Sequence, residues 1–375
     1  MKHLLDNSKL SLYSNIDKIS ESKAKYLIEE KGCKIKSIKK IPEGSNHYSF
    51  DVILEDGTPL IGKFKKNKNN LRDSLFGGII SLERECAIYS LIGEKTGLPT
   101  PKLYGKYKDG GIYFILVEKL PGKLWSDYIR ENNYSISCFL KSLEYLGQDI
   151  ARLQKVTFET FGDLMNEYLV LPKGIINFAD RFIGITKMRL KRVKEKNILD
   201  TKKVHLVKKY FFQQISEIRE YLYNYKSKPT LVFTDMHSRN FLVNDFGKPS
   251  GYFDLESCQS AHPALEFYGL KFFLFNYFNY ETFKKAEDSF FKGYKKEGGE
   301  YDQGDYINKK LEDLLAINRI MELSESYHEI KDGLRDKWSI KFKELLFEAI
   351  ETNSVNYSKI ADIIRAKDGQ PKNPG

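Results

Sequence analysis

Between Lys34 and Val117 apolar and polar residues largely alternate, the period of half-buried strands, whereas beyond Glu118 apolar residues recur every three to four positions, the period of helices. From Ile16 to Gly32 one apolar face with Ser20 or Ser22 as cap predicts a helix. Strand patterning follows over Lys34 to Ile41, Tyr48 to Leu54 and Leu60 to Phe64. The breaks between these runs are Gly44-Ser45-Asn46 and Glu55-Asp56-Gly57, the second a strong hairpin turn, so the three form an antiparallel meander. Ser81 to Gly93 predicts an amphipathic helix through Leu82, Cys86, Tyr89 and Ile92, and Lys102 to Tyr107 and Ile112 to Val117 return to strands. The strand pattern stops at Glu118-Lys119-Leu120-Pro121-Gly122. Helices are predicted over Ser142 to Leu153, Val204 to Tyr223, Leu311 to Ser324 and Ile340 to Ile350. Two short apolar runs, Thr230-Leu231-Val232-Phe233 and Phe241-Leu242-Val243, interrupt them as buried strands, and a second hairpin after them carries Asp254. The expectation is an α+β chain in two lobes: an antiparallel-sheet lobe with one main helix over 1–120, a mostly helical lobe over 121–366, and a disordered polar tail over 367–375.

Composition adds limits. With 375 residues, 41% hydrophobic, 25 Phe and 24 Tyr, the chain can bury a large core. Its net charge of +10 suits an anionic ligand, but the lysines are dispersed. The basic run Arg181 to Lys209 could face nucleic acid, yet Ile183, Met188, Leu190 and Val193 interleave at helical spacing, which favours a helix packed on one side. The aromatic run from Phe272 to Tyr280 reads as a core helix rather than a base-stacking platform. Cys33, Cys86, Cys138 and Cys258 form no metal or disulfide spacing. No apolar run approaches a membrane span, and the start of the chain lacks an apolar leader. The expectation is a cytoplasmic protein without membrane or nucleic-acid partners, its oligomeric state left open.

The chemistry concentrates in Asp235-Met236-His237-Ser238-Arg239-Asn240 and, further on, Gly251-Tyr252-Phe253-Asp254-Leu255-Glu256. An Asp with an Asn five residues on can align an acceptor hydroxyl and hold magnesium from one loop, as phosphoryl transfer requires, and Asp254 would supply a second metal ligand. Upstream, Lys63 ends a strand beyond the Gly44 turn, and Glu83 or Glu85 on the following helix could pair with it. His237 reads as a loop-shaping residue rather than a ligand, because magnesium prefers oxygen. Glu256 is either an additional metal group or a neighbour of one. Glu322, Glu325 and Glu329, at helical spacing, either meet a cationic acceptor or form a solvated face.

From about Lys34 to Phe267 the chain resembles the aminoglycoside phosphotransferase and choline kinase-like family, which has the two-lobed protein-kinase-like fold. Asp235, His237 and Asn240 fall on its catalytic-loop pattern His-Gly-Asp-x-His-x-x-Asn, Phe253-Asp254-Leu255-Glu256 on its Ile-Asp-Trp-Glu, and Arg84-Glu85 on its Arg-Glu helix motif. The resemblance implies that Asp235 is the catalytic, hydroxyl-positioning residue, that Asn240 and Asp254 bind Mg2+, and that Lys63, held by Glu85, takes the α and β phosphates. Gly44, Ser45 and Asn46 would cover the phosphates of ATP or GTP, and Glu118 and Leu120 would meet the base at the hinge. The implied activity is transfer of the γ-phosphate to a hydroxyl of a small molecule, such as an aminoglycoside or other antibiotic, a sugar or an amino alcohol. Three departures stand out: Phe233-Thr234 replaces His-Gly, Leu153-Gln154 replaces Leu-His, and Ala261-His262-Pro263 with Glu266 replaces Gly-Asp-Pro with its distal Asp. Glu266 is then expected to be structural. The first departure also leaves open a pseudokinase that binds nucleotide or a partner protein, and the basic run a kinase acting on a macromolecule.

Overall fold

A computed structural model describes residues 19–42, 47–65, 82–109, 111–164, 168–169, 177–223, 228–328 and 335–367, the side chains of 326–328, 335–336 and 367 aside. Gly44, Ser45, Asn46, Ser81, Glu329 and the tail after 367 lie outside the described residues.

The predicted meander is present. Strands β1 (Ile35–Lys40), β2 (His47–Leu54), β3 (Pro59–Lys65), β4 (Leu103–Asp109) and β5 (Ile112–Glu118) form one antiparallel sheet in the order β1-β2-β3-β5-β4. The turn between β2 and β3 works as its residues demand: Gly57 takes φ 88°, and Asp56 Oδ1 accepts the Thr58 N–H at 2.9 Å. The two-residue period sorts side chains between faces. Phe50, Val52, Phe64, Phe114 and Leu116 pack with Leu27 and Ile28 of helix α1 (Glu21–Glu29), which Ser20 caps by accepting the Lys23 N–H. Ile115 and Val117, out of phase with them, join Leu82 and Cys86 of helix α2 (Leu82–Thr96) in the larger core. Lys63 shares this phase, and so reaches α2.

After β5 the chain is helical: α3 (Trp125–Glu131), α4 (Ile136–Leu153), α5 (Phe178–Glu195), α6 (Thr201–Tyr223), α7 (Ala264–Leu274), α8 (Tyr280–Lys296), α9 (Tyr306–His328), α10 (Arg335–Thr352) and α11 (Tyr357–Lys367). Helices α3, α8 and α11 are not among the expected ones. The aromatic run from Phe272 to Tyr280 is core as expected, but not one helix, since α7 ends at Leu274 and α8 starts at Tyr280: Trp125 lies 5.3 Å from Phe273 and 5.2 Å from Tyr277, and Phe139 lies 4.6 Å from Phe278. Helices α4 and α8 cross at Gly147 and Gly293, where a Cβ on either glycine would run into the partner helix's backbone, at the Phe290 and Glu144 carbonyls respectively. No helix among the described residues is long and apolar enough to cross a membrane.

Two expectations change. With two short strands ahead of them, β6 (Lys123–Leu124) and β7 (Gly162–Asp163), the strands flanking the Asp235 loop do not pair with each other: β8 (Thr230–Val232) pairs with β11 (Gln259–Ala261), which also pairs with β7, while β9 (Phe241–Val243) pairs with β10 (Pro249–Tyr252) and β6 in a separate sheet. The loop therefore bridges two small sheets. The acidic positions of α9 are neither a solvated face nor free carboxylates. Glu322 bonds Arg189 at 2.9 Å, and Glu325 bonds Arg192 at 2.8 Å and Lys196 at 2.6 Å, so the basic residues of α5 dock on the acidic positions of α9. The basic run breaks after α5, where Asn197 adopts φ 56°, and its one-sided packing buries Leu190 and Val193 as expected.

Candidate active site

Lys63 Nζ donates to both carboxylate oxygens of Glu85, at 2.7 and 2.6 Å, and to Asp254 Oδ1 at 3.0 Å. Strand β3, helix α2 and the loop after β10 thus converge on one ammonium. Burial works against its charge, but Glu85, Asp254 and Glu256 outweigh burial and hold it well above the usual lysine range. Of the two candidate partners on α2, Glu85 is the one that turns inward, with 0% of its surface exposed. One turn on, the Tyr89 hydroxyl donates to Glu85 and accepts the Asp254 N–H at 3.2 Å. Tyr89 had entered the sequence reading only as a core position. Its place four residues after Glu85, on the same helix face, was the available signal.

Asp254 adopts φ 60°, a left-handed conformation that Asp tolerates better than most residues and that points to a locally constrained loop. The Lys63 charge holds its carboxyl below the usual carboxylate range, so it is ionised at neutral pH. The Phe253 N–H donates to the Asn240 carbonyl at 3.1 Å, which brings Asp254 beside Asn240. Asn240 is buried, and its Nδ2 donates to the Asp235 carbonyl at 2.9 Å. With the nitrogen committed to the loop, Oδ1 is the atom left to ligate a cation.

Asp235 stands at a shallow cleft that Met236, Asn240, Asp254, Leu255 and Ser257 also line. The protein packed around its carboxyl raises its pKa above the usual range, with His237 pulling the other way. With 61% of the side chain open, water solvates the charged form and works against that rise. His237 shapes the loop as expected: its Nδ1 accepts the Arg239 N–H at 3.1 Å.

The replacement of His-Gly by Phe233-Thr234 carries its own bracing. The Phe233 N–H donates to Glu266 at 2.6 Å, the Phe233 ring packs on Tyr252 at 5.5 Å, and the Thr234 hydroxyl donates to the Ser257 carbonyl at 2.6 Å. Glu266 is thereby structural, as expected, and burial pushes its carboxyl up to about 8.

Glu256 makes a buried 2.6 Å contact with His47 Nε2. Donor atoms of His47, Glu85 and Glu256 lie within 4.8 Å of one another, but the Lys63 ammonium already occupies the Glu85 carboxylate, so a cation there would meet like charge. Of the hinge residues, the Glu118 N–H is bonded to the Lys102 carbonyl at 2.8 Å, whereas the Leu120 N–H has no backbone partner among the described residues. The phosphate-covering turn lies outside the described residues.

Structural likeness agrees with this geometry. A protein provisionally designated a fructosamine-3-kinase from Thermobifida fusca superposes with a TM-score of 0.57 at 15% identity, covering 88% of this chain and all of the other. An ethanolamine kinase from Plasmodium vivax gives 0.55 at 15% identity over 99% of this chain and 96% of its own. The GDP complex of an aminoglycoside 2'-phosphotransferase-IIIa gives 0.51 at 14% identity over 89% of this chain and 98% of its own. At these identities the likeness establishes the fold, the kinase-like pairing of an antiparallel-sheet part with a helical part. No curated protein matches by sequence. Residues 37–305, well over half of the chain, match the phosphotransferase enzyme family, and the chain therefore belongs to that family of small-molecule kinases.

Proposed function

We propose that the protein transfers the γ-phosphate of ATP or GTP to a hydroxyl group of a small molecule. The observation that carries this reading is the Lys63 ammonium bonded at once to Glu85 and Asp254, with Asn240 and Asp235 on the adjoining loop. In phosphoryl transfer the protein contributes mainly position and fixed charge. Lys63, held in place by Glu85, would bind the α and β phosphates. The Leu120 N–H is the free hinge donor for the base, and Glu118, its own N–H committed, can offer a carbonyl at most. Asn240 Oδ1 and the Asp254 carboxylate form the all-oxygen donor set that magnesium prefers, so they would hold the ion that accompanies the nucleotide. When bound, that ion neutralises charge on the phosphate oxygens. Asp235, open to the cleft, would orient the acceptor hydroxyl and take up its proton as the oxygen bonds to phosphorus and the β–γ bridge oxygen leaves with the diphosphate.

Asp235→Asn keeps the side chain's size but cannot accept the proton. Single-turnover phosphoryl transfer is expected to fall by about 10²–10⁴-fold while nucleotide binding persists. Transfer at the wild-type rate in this variant would remove Asp235 from the chemistry.

A further inference from the structure

The stretch from Tyr252 to Cys258 is bonded on two sides, and the sides alternate along the chain. Its even positions meet the antiparallel-sheet part and the helix α2 beside it. The Tyr252 N–H donates to the Pro99 carbonyl at 2.9 Å, Asp254 bonds Lys63 and Tyr89, Glu256 bonds His47, and the Cys258 carbonyl accepts from the Arg84 guanidinium. Positions 253 and 257 meet the catalytic loop instead, the Phe253 N–H at the Asn240 carbonyl and the Ser257 carbonyl at the Thr234 hydroxyl. One short segment thus ties both parts of the molecule to the residues that surround the metal site.

Within it Asp254 holds φ 60°, which a residue with a side chain keeps only where its surroundings over-determine it. The entry to this turn is fixed by Phe253 on Asn240. The exit is fixed two residues on, where Glu256 Oε2 accepts from His47 Nε2 at 2.6 Å. His47 opens β2 and is 5% exposed, and Glu256 is 4% exposed, so the contact is sealed from water. His47 Nδ1 is buried and has no hydrogen-bond partner among the described residues. That orphaned nitrogen costs stability, and an apolar ring would fill the same place without the cost. A buried pair of this kind also adds little net stability, because desolvation offsets its attraction. What the pair holds in place therefore explains it better than what it stabilises.

We propose that His47 and Glu256 are positioning residues for the metal site. Their contact fixes the loop that carries Asp254, and so sets the Asp254 carboxylate beside Asn240 for the magnesium ion that accompanies the nucleotide. This inference rests on the kinase reading, and its test separates the two. The imido analogues of ATP and GTP are titrated calorimetrically into the whole protein over a series of magnesium chloride concentrations that starts from none. The quantity read is the magnesium concentration that half-completes the gain in analogue affinity. His47→Phe should raise it by about 10–100-fold, the usual loss when a group that orients a metal ligand is removed, while magnesium-free binding of the analogue stays as in the wild type. His47→Gln, whose amide can donate in place of Nε2, should recover most of that loss. Glu256→Met should match His47→Phe, and the double variant should lose no more than either single one, because each residue acts through the other. The double variant replaces a buried polar pair by apolar groups of similar size, so it serves if a single variant does not fold.

The inference is overturned if folded His47→Phe or the double variant needs no more magnesium than the wild type. A fall in analogue binding that is equal at every magnesium concentration overturns it as well, since that is the mark of a merely structural pair. So do losses that multiply in the double variant, which would make Glu256 a ligand in its own right. Wild-type protein that binds neither analogue, or gains nothing from magnesium, sinks the kinase reading and this inference together. A wild type that responds to magnesium beside a His47→Phe variant that responds equally sinks this inference alone.

Discussion

Between β3, α2 and the Asp254 loop a single ammonium, Lys63, faces two carboxylates, Glu85 and Asp254; between α5 and α9 a single carboxylate, Glu322, faces two guanidiniums, Arg189 and Arg319. The first group is left with a surplus negative charge, whereas in the second one carboxylate oxygen holds both guanidiniums. Buried ion pairs contribute little net stability because desolvation offsets their attraction, so an unbalanced trio is better explained by what it binds than by what it stabilises. The first surplus is negative and suits the cation that travels with a nucleotide.

That contrast can be broken from either side. Lys63→Met leaves Glu85, which is wholly buried, with no cation, and should cost both catalysis, by about 10²–10³-fold in kcat/KM, and stability, by about 3–5 kcal/mol on denaturant unfolding. A variant of unchanged stability would show that the Lys63–Glu85 pair is not the buried, coupled unit described here. Glu322→Gln strips the shared partner from Arg189 and Arg319. Because Glu322 is 20% exposed and Arg319 more so, the loss should be smaller, about 2–3 kcal/mol. The remaining effect is a pH dependence beneath the catalytic loop. Burial lifts the Glu266 carboxyl from its ordinary 4.5 up to about 8, so the stability its neutral form contributes is complete below about 4.5 and lost as pH rises through about 8. His262, pushed down to about 3 by burial, stays neutral throughout that window. Glu266→Gln does not titrate, so the variant should gain on the wild type in urea unfolding as pH rises from about 5 to about 8. Parallel pH profiles would mean that Glu266 is already ionised in the fold.

How legible all this was depends on whether an interaction is local. The meander could be read because strand period and an Asp-Gly turn are written in consecutive residues, whereas helix placement alone left Glu83 and Glu85 equal and only the resemblance of Arg84-Glu85 to a family motif separated them. The Asp235 loop was legible from spacing. Its strand partners were not, since β8 and β9 find them in different sheets and nothing in their short apolar runs distinguishes one partner from another. Glu322 and Glu325 looked like a face for solvent or a cation because their arginine partners lie more than a hundred residues earlier, on a segment whose own charge suggested nucleic acid. Phe233-Thr234 looked like the loss of a brace. The replacement contacts, to Glu266, Tyr252 and Ser257, come from three later segments.

The His47–Glu256 contact joins positions 209 apart, and Lys63 to Asp254 spans 191. Contacts closed over such distances form late, because the intervening chain must be ordered before they repay the entropy of closure. A polypeptide that ends short of Asp254 has no third partner for the lysine. Nucleotide binding thus reports on completed folding, and its appearance during refolding should coincide with the last kinetic phase.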